Sequence, residues 1–478
     1  MKKLRRFFLG RLFPCAISYM FLLALTVGLA VYLPSALAPL AAFERLLALI
    51  AAVLVSLDRT DTEIKLGKLV LIVLLPYSGA IVCLLLRRQP QAPHFAPARG
   101  IFSDELCDRL GAVVSAQCGI APCFAKEAKY HPTGADFFSA LIKSIGNAKK
   151  FIWLEYYIVA NGTFWGATLS ALTERAECGV DVRLVYDDFG CALTLPKNYP
   201  QKLKKYKIKA HPVRRLTPFS PARSNVRDHR KCAIIDGETV FLGGINLADE
   251  YIGELIKYGN WKDTAISLTG APARAFAIEY AKHQINYDPS NGKSVGETAN
   301  RIALQNGGIP CIPVLDRAYA AGVSYLANAA QKTLYFSTPY LAPDKNTLFA
   351  LQTAAKSGID VRIIIPHIPD KKSIFLLTRR AARELMRYGV QVREYTAGFV
   401  HAKSLTVDGK LCAVTSHNLD YRSLRLQREC GAFVFSADLT KEIERDFLNM
   451  WESGTPVPVA KRAEKAASAI LSLFTPIL

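Results

Sequence analysis

Three apolar runs open the chain, roughly Phe13 to Leu33, Leu37 to Leu57 and Leu69 to Leu86. Each approaches the ~20 residues that a helix needs to cross a bilayer core. Glu44 and Arg45 interrupt the middle run, which leaves it a re-entrant or interfacial candidate as well as a span. A cleaved signal peptide has one short apolar core, so three runs in succession argue for retained anchors. The alternative is a set of buried helices in a soluble domain. After a Pro- and Ala-rich stretch, Gln89 to Arg99, the pattern changes to β-rich runs alternating with helical periodicity. FIWLEYYIV at 151–159 and GVDVRLVYD at 179–187 predict strands on either side of a helix. AQKTLYFSTPYL at 330–341 and GIDVRIIIP at 358–366 repeat that succession.

The repetition is literal in places. AECGVDVR at 176–183 aligns without a gap with AKSGIDVR at 355–362, an offset of 179 residues. DHRKCAIIDG at 228–237 and VHAKSLTVDG at 400–409 share the spacing H-x-K-x-x-x-x-D, offset by 172. That period is far longer than any solenoid repeat, so the economical reading is two homologous α/β halves, each a β-sheet covered by helices. Each polar motif sits on a run of β-formers followed by an Asp-Gly turn signal. Residues two apart on a strand share a face, so His229 and Lys231 point one way together, as do His401 and Lys403. Asp236 and Asp408 stand at the turns, where a structural role is at least as natural as a catalytic one.

Chance produces one short match readily in a chain with eight histidines, but not two at equivalent points of a repeat. Two halves folding back on a pseudo-twofold axis can bring both pairs to one site. Two His and two Lys facing each other suit a phosphate ester. One imidazole attacks phosphorus to form a phosphohistidine. The other protonates the departing alkoxide and then takes a proton from the incoming hydroxyl. The lysines hold the non-bridging oxygens and offset the charge that develops there. This chemistry requires no metal and no cofactor, and the symmetry of its two steps suits exchange of one alcohol for another as well as hydrolysis.

Composition narrows the setting. The net charge of +20 points to an anionic partner, nucleic acid or acidic lipid. The first hundred residues carry 12 basic and 4 acidic residues around the apolar runs, which favours the membrane. Lys2, Lys3, Arg5, Arg6 and Arg11 predict a cytoplasmic N-terminus. Three full spans would place everything after Arg88 outside, whereas Arg87, Arg88 and the scattered cysteines favour the cytoplasm; two spans with an interfacial middle run would reconcile these. Eleven cysteines occur without a C-x-x-C pair, which supports neither a zinc site nor a disulfide framework.

The paired motifs resemble those of the phospholipase D superfamily. RDHRKCAIIDGETVFLGGINLADEY, YGNWKDTAISLTG, STPYLAPD and FVHAKSLTVDGKLCAVTSHNLDYRS closely resemble bacterial cardiolipin synthases of the phospholipase D type, over about Tyr130 to Trp451. LLPYSGAIVCLLL in the apolar N-terminus is similar to that family's anchor. The resemblance implies two homologous phospholipase D-type α/β domains forming one active site at their interface, preceded by N-terminal transmembrane helices. The expected divisions are an anchor at 1–88, a linker at 89–129, domains at 130–300 and 301–455, and an amphipathic tail at 456–478. His229 is then the nucleophile and His401 the general acid/base, with Lys231 and Lys403 binding phosphate and Asp236 and Asp408 completing the motifs. Gly244 and Asn246, and Ser416 and Asn418, lie 15 and 17 residues after their motif histidines and are expected to line the phosphate pocket. Asp263 and Glu429 correspond to carboxylates that orient the two imidazoles. Thr415 and His417 depart from the family's usual residues, so rate or acceptor choice could differ there; His417 reads first as a tolerated loop residue. Glu155 either helps shape the site or is a satisfied strand-end carboxylate.

The tail has Lys461, Arg462 and Lys465 ahead of Ile470, Leu471, Leu473 and Phe474, which suits a helix on an anionic membrane or one packed on the domain. The resemblance implies a multi-pass protein of the bacterial cell membrane that joins two phosphatidylglycerol molecules into cardiolipin and glycerol, with anionic lipids and no nucleic acid as partners. The competing readings are a phospholipase D with water as acceptor, a nuclease on the same scaffold, and a non-catalytic lipid-binding scaffold.

Overall fold

A computed structural model describes residues 37–58, 62–85, 95–215, 226–287, 307–473 and 475, with scattered positions between 20 and 31. Most of the first apolar run, the basic N-terminal cluster and residues 89–94 of the expected linker lie outside the described residues. In the first half the strands are β1 (Cys123–His131), β2 (Phe151–Tyr156), β3 (Asp181–Asp187), β4 (Lys209–Val213), β5 (Lys231–Ile235), β6 (Thr239–Gly243), β7 (Asn260–Lys262) and β8 (Ala265–Gly270). The second half contributes β9 (Ile309–Leu315), β10 (Thr333–Ser337), β11 (Leu341–Ala342), β12 (Asp360–Pro366), β13 (Gln391–Tyr395) and β14 (Gly398–Val400). It continues with β15 (Ser404–Val407), β16 (Leu411–Thr415), β17 (Leu419–Asp420), β18 (Cys430–Phe435) and β19 (Gly454–Pro456).

Fifteen of these form one sheet, ordered β19-β13-β12-β10-β15-β16-β18-β9-β1-β8-β6-β5-β2-β3-β4. Read outward from the central β9/β1 pair, each half runs through the same sequence of strand types. The motif strands β5 and β15 occupy equivalent places, and so do β3 and β12, which carry the aligned GVDVR and GIDVR segments. The halves join by antiparallel pairing of Cys123 with Cys311 and of Ala125 with Ile309, so the backbone ladder is continuous across the repeat boundary. β2 and β3 are buried along nearly their whole length because helices such as Gly134–Gly146 and Thr163–Glu177 cover their outer face. Their continuous apolar text is what a sheet covered on both sides requires.

At the borders one expectation changes and one open alternative is resolved. The segment assigned to a linker holds a helix, Glu105–Cys118, capped by the Asp104 carboxylate accepting the Cys107 N–H at 2.9 Å. Its Cys107, Leu110 and Val114 are fully buried in the core of the second half, and β1 begins at Cys123 in the centre of the sheet. A helical stripe whose apolar face has a core to meet is part of the domain, not a tether. The C-terminal helix Arg462–Ser472 packs on the helix Lys372–Met386, with Arg383 donating to Glu464 at 2.7 Å and to the Pro458 carbonyl at 2.8 Å. The domain-packed form of the tail is therefore the one observed; Phe474 lies outside the described residues.

The middle apolar run is one helix, Leu37–Leu57, and the third lies on helices Thr62–Leu74 and Pro76–Leu85. Among the described residues no helix is long and apolar enough to cross a membrane. Ala51, Val55, Ile72, Ala80 and Cys83 bury themselves between these helices.

Asp236 and Asp408, expected either in the chemistry or in a structural role at the turns, make structural contacts. Both sit at the tight turns that follow β5 and β15, with φ near +57° and +52°. Asp236 accepts backbone N–H groups from Lys149, Lys150 and Phe151 at 2.8, 2.7 and 2.9 Å. Asp408 accepts those of Gln331, Lys332 and Thr333 at 2.8, 2.7 and 2.9 Å. Each carboxylate thus fastens the start of the neighbouring strand at the opposite end of the motif strand from the histidine. Asp236→Ala removes three charge-assisted hydrogen bonds and leaves alanine at positive φ, an expected loss of ~3 kcal/mol. The midpoint of thermal unfolding should fall by ~5–10 °C, while activity per folded molecule stays within about twofold; a selective loss of activity without a fall in the midpoint would place Asp236 in the chemistry after all.

Candidate active site

His229 and His401 lie just ahead of β5 and β15, where each chain segment leaves its own half and meets the other. The His229 N–H donates to the Arg428 carbonyl at 2.8 Å, and Asp228 bridges Arg428. In the mirrored place His401 and Ala402 both donate to the Lys262 carbonyl, at 2.7 and 3.0 Å, and β14 pairs in parallel with β7. Backbone hydrogen bonds therefore join each motif to the residues just before the other half's carboxylate.

The consequence is a crossed arrangement. His229 Nδ1 lies 2.8 and 3.0 Å from the two carboxylate oxygens of Glu429, and His401 Nδ1 lies 2.6 Å from Asp263 Oδ2. Each imidazole is thus oriented by the half to which it does not belong. Both carboxylates are fully buried. An Nδ1–H donated to a carboxylate leaves the Nε2 lone pair free for a reacting atom. Burial, followed by the charges of Lys231 and Lys403, holds the His229 pKa well below the usual imidazole range; burial, Lys403, Lys231 and His229 do the same to His401. A neutral imidazole is the form a nucleophile needs.

Burial also pushes Lys231 down to about 8 and Lys403 to about 7, with Glu429 and Asp263 respectively the leading opposing charges. It raises Asp263 and Glu429 to about 7 against the pull of the lysines. Two carboxylates and two ammonium groups are therefore held together in a site that penalises net charge. An entering phosphodiester anion would favour the charged lysines. Lys231 Nζ donates to the His229 carbonyl at 2.5 Å and Lys403 Nζ to that of His401, so both ammonium groups are tethered beside their own imidazoles.

The four residues expected in the phosphate pocket divide. Gly244 makes room for a carboxylate, since a Cβ there would come within 2.1 Å of Asp263 Oδ1. Ser416 Oγ donates to Glu429 Oε2 at 2.5 Å and accepts from the Cys430 N–H at 2.9 Å. Asn246 accepts the Ile158 N–H at 3.0 Å and donates to the Tyr251 hydroxyl at 2.5 Å. In this structure these three support the carboxylates and the aromatic wall. Asn418 alone of the four lines the cavity, and its Oδ1 is buried without a hydrogen-bond partner among the described residues.

That cavity, about 350 Å³, contains His229 in its lining together with Tyr157, Tyr340, Arg227, Lys371 and Arg422. The Tyr157 ring centroid lies 4.8 Å from that of His229, and Lys231 Nζ is 5.4 Å from the Tyr157 centroid. Tyr251 and Trp261 pack at 5.5 and 5.2 Å from His401. Sequence reasoning did not single out Tyr157; its position next to a strand paired with the motif strand was the available signal. It also missed Ser423, whose hydroxyl donates to Glu429. Glu155 faces away from the cavity into a buried network with Arg230 and His283, at 3.7 and 3.3 Å. His417 stacks on Tyr319 at 4.5 Å and lies 2.8 Å from the Asp316 carbonyl, which makes it a packed second-half residue.

Comparison with known proteins gives the family. Residues 141–255 and 324–451 match the model of the "Cardiolipin synthase, PLD-like domain" family, one segment in each half. The chain is 37% identical over 359 residues to an uncharacterized protein of Streptococcus mutans serotype c, covering 73% of this chain and 78% of that protein. It is 34% identical over 365 residues to a cardiolipin synthase of Listeria monocytogenes serotype 4a, covering 72% and 74%. The phosphatidylserine synthase of Haemophilus influenzae Rd KW20 shares the fold, with a TM-score of 0.60 at 17% identity, covering 78% of this chain and 100% of that one. With both halves matched and a relative this similar over most of its length, the chain belongs to the cardiolipin synthase family of phospholipase D-like proteins.

Proposed function

We propose that the chain acts as a phosphatidyltransferase that makes cardiolipin from two molecules of phosphatidylglycerol at the bacterial cell membrane. The observation that carries this reading is the crossed pair of imidazoles, each held by a buried carboxylate of the other half and accompanied by a lysine.

His229 is the nucleophile because it is the imidazole that lines the cavity. Its Nε2 attacks the phosphorus of the donor lipid while Lys231 and Lys403 hold the non-bridging oxygens. The bond from phosphorus to the glycerol oxygen breaks, and His401 supplies the proton that glycerol takes away. His401 shares a proton with Asp263 at 2.6 Å, whose carboxyl is pushed up to about 7, and the negative charge of the bound phosphodiester favours protonation of the ring. In the second step neutral His401 removes the proton of the acceptor's terminal hydroxyl. That oxygen attacks the phosphorus, the P–N bond breaks, and His229 is restored.

Membrane attachment is supported by the N-terminal helices. Phe43, Leu46, Leu49 and Leu57 on one, and Val73 and Leu74 on the next, are each more than half exposed, an apolar surface that water does not favour and lipid would cover. Holding the site at the interface supplies donor and acceptor together and limits competing water.

The test is purified full-length protein in phosphatidylglycerol vesicles with EDTA present, lipid products identified by mass spectrometry and free glycerol measured. Cardiolipin and glycerol in equal amounts are expected. Phosphatidic acid as the sole lipid product would replace transfer with hydrolysis, and no product would leave the scaffold reading.

A further inference from the structure

The cavity beside His229 carries more positive charge than one reacting phosphate needs. Among the described residues Lys231 and Lys403 do not line it, yet Arg227, Lys371 and Arg422 do, against a single lining carboxylate, Asp420. Arg227 is almost fully buried, and its Nε lies 3.2 Å from Asp187 on one side. Its Nη1 is buried with no hydrogen-bond partner among the described residues. Lys371 sits over the Tyr340 ring at 5.1 Å, and the Tyr340 hydroxyl donates to Asp370 at 2.5 Å, which fixes that aromatic wall. Lys371 and Arg422 are near enough to the reacting group that both depress the His229 pKa. Asp187 meets one side of the Arg227 guanidinium and the Arg227 Nη2 donates to the Arg214 carbonyl, so Nη1 is the buried donor left for a further acceptor, and a buried donor without one is costly.

The reading of the site as one that joins two anionic lipids says which anion that is. The donor phosphate belongs between the two His-Lys pairs, where its phosphorus meets His229. An acceptor phosphatidylglycerol must bring its terminal hydroxyl to the same phosphorus while its own phosphate remains one glycerol unit away. Two phosphodiester anions at that separation repel, and water, ethanol or any neutral alcohol has no such group to place. We propose that Arg227, Lys371 and Arg422 form a second phosphate subsite that receives the phosphodiester of the acceptor lipid and so selects an anionic lipid over a neutral alcohol. Arg227 supplies a fixed planar donor at the cavity wall, and Lys371 and Arg422 complete the positive lining.

The subsite acts after the phosphohistidine has formed, so it is read by how that common intermediate partitions. Full-length protein in phosphatidylglycerol vesicles is given a fixed concentration of 1-butanol, and cardiolipin and phosphatidylbutanol are measured in the same sample. Defects in donor binding or in the first step lower both products and cancel in their ratio. Lys371→Gln and Arg422→Gln should each lower the ratio of cardiolipin to phosphatidylbutanol at least tenfold, and Lys371→Arg should restore most of it. A ratio that stays at the wild-type value in both Gln variants, whatever happens to total turnover, overturns the subsite. The function reading fails separately: a wild-type protein that makes phosphatidic acid and phosphatidylbutanol but no cardiolipin would refute lipid-to-lipid transfer before any variant is compared.

Discussion

His229→Ala lowers turnover of phosphatidylglycerol by on the order of 10⁴-fold or more, and abolishes any acid-labile phosphorus on the protein. The expectation follows from position. His229 is the imidazole that lines the cavity, its Nδ1 is bound to a fully buried carboxylate, and its environment keeps the ring neutral. The measurement is rapid quench of the enzyme with lipid labelled in the phosphate, followed by detection of labelled protein. His401→Ala provides the contrast, because a donor with a leaving group that needs no proton should still label the protein. Labelled His229→Ala protein would mean that His401 is the attacking group and that the two roles are reversed.

Exchanging the orienting carboxylates should separate the two halves of the reaction. Glu429→Gln keeps the shape of the side chain but accepts less strongly from His229 Nδ1 and can favour the wrong tautomer, a change worth on the order of 10³- to 10⁴-fold in comparable His–carboxylate pairs. Asp263→Asn acts on His401 in the same way. With a p-nitrophenyl ester of phosphatidic acid as donor, departure of the leaving group needs no proton. Protein labelling should then fall by about 10³-fold in Glu429→Gln and by less than about tenfold in Asp263→Asn. With phosphatidylglycerol as donor, both variants should be slow. The opposite order with the activated donor would show that each histidine depends on the carboxylate of its own half, against the 2.8 Å and 2.6 Å contacts that cross between halves. Ser416 and Ser423 also donate to Glu429, so the Gln variant must be checked for an unchanged thermal midpoint.

Much of this protein is legible in one dimension. Strand periodicity places β2, β3, β10 and β12 to within a few residues, because fully buried strands are written as continuous β-branched and aromatic runs. The 172-residue offset of the two motifs shows that His229-Lys231 and His401-Lys403 are equivalent, and alternation along a strand shows that each pair shares a face. Those inferences need only local geometry and repetition. Asp263 and Glu429 could be named as carboxylates from the resemblance, but not paired with a histidine, since sequence distance favours partners within one half and the fold joins residues 138 and 200 positions apart.

The tertiary structure decides what depends on three-dimensional closure. It gives Asp236 and Asp408, already legible as turn residues, their partners, the backbone N–H groups at the start of the neighbouring strands. It turns Gly244, Asn246 and Ser416 toward supporting contacts and leaves Asn418 on the cavity, a division that equal spacing cannot reveal because the loops after β6 and β16 pack against different neighbours. It gathers Arg227, Lys371 and Arg422 from three separate stretches of chain around one volume. The repeated halves and the two His-Lys pairs can be read from the chain because strand pattern and motif are local; which carboxylate holds which histidine, and which cations gather around the cavity, are properties of the surface along which the two halves meet.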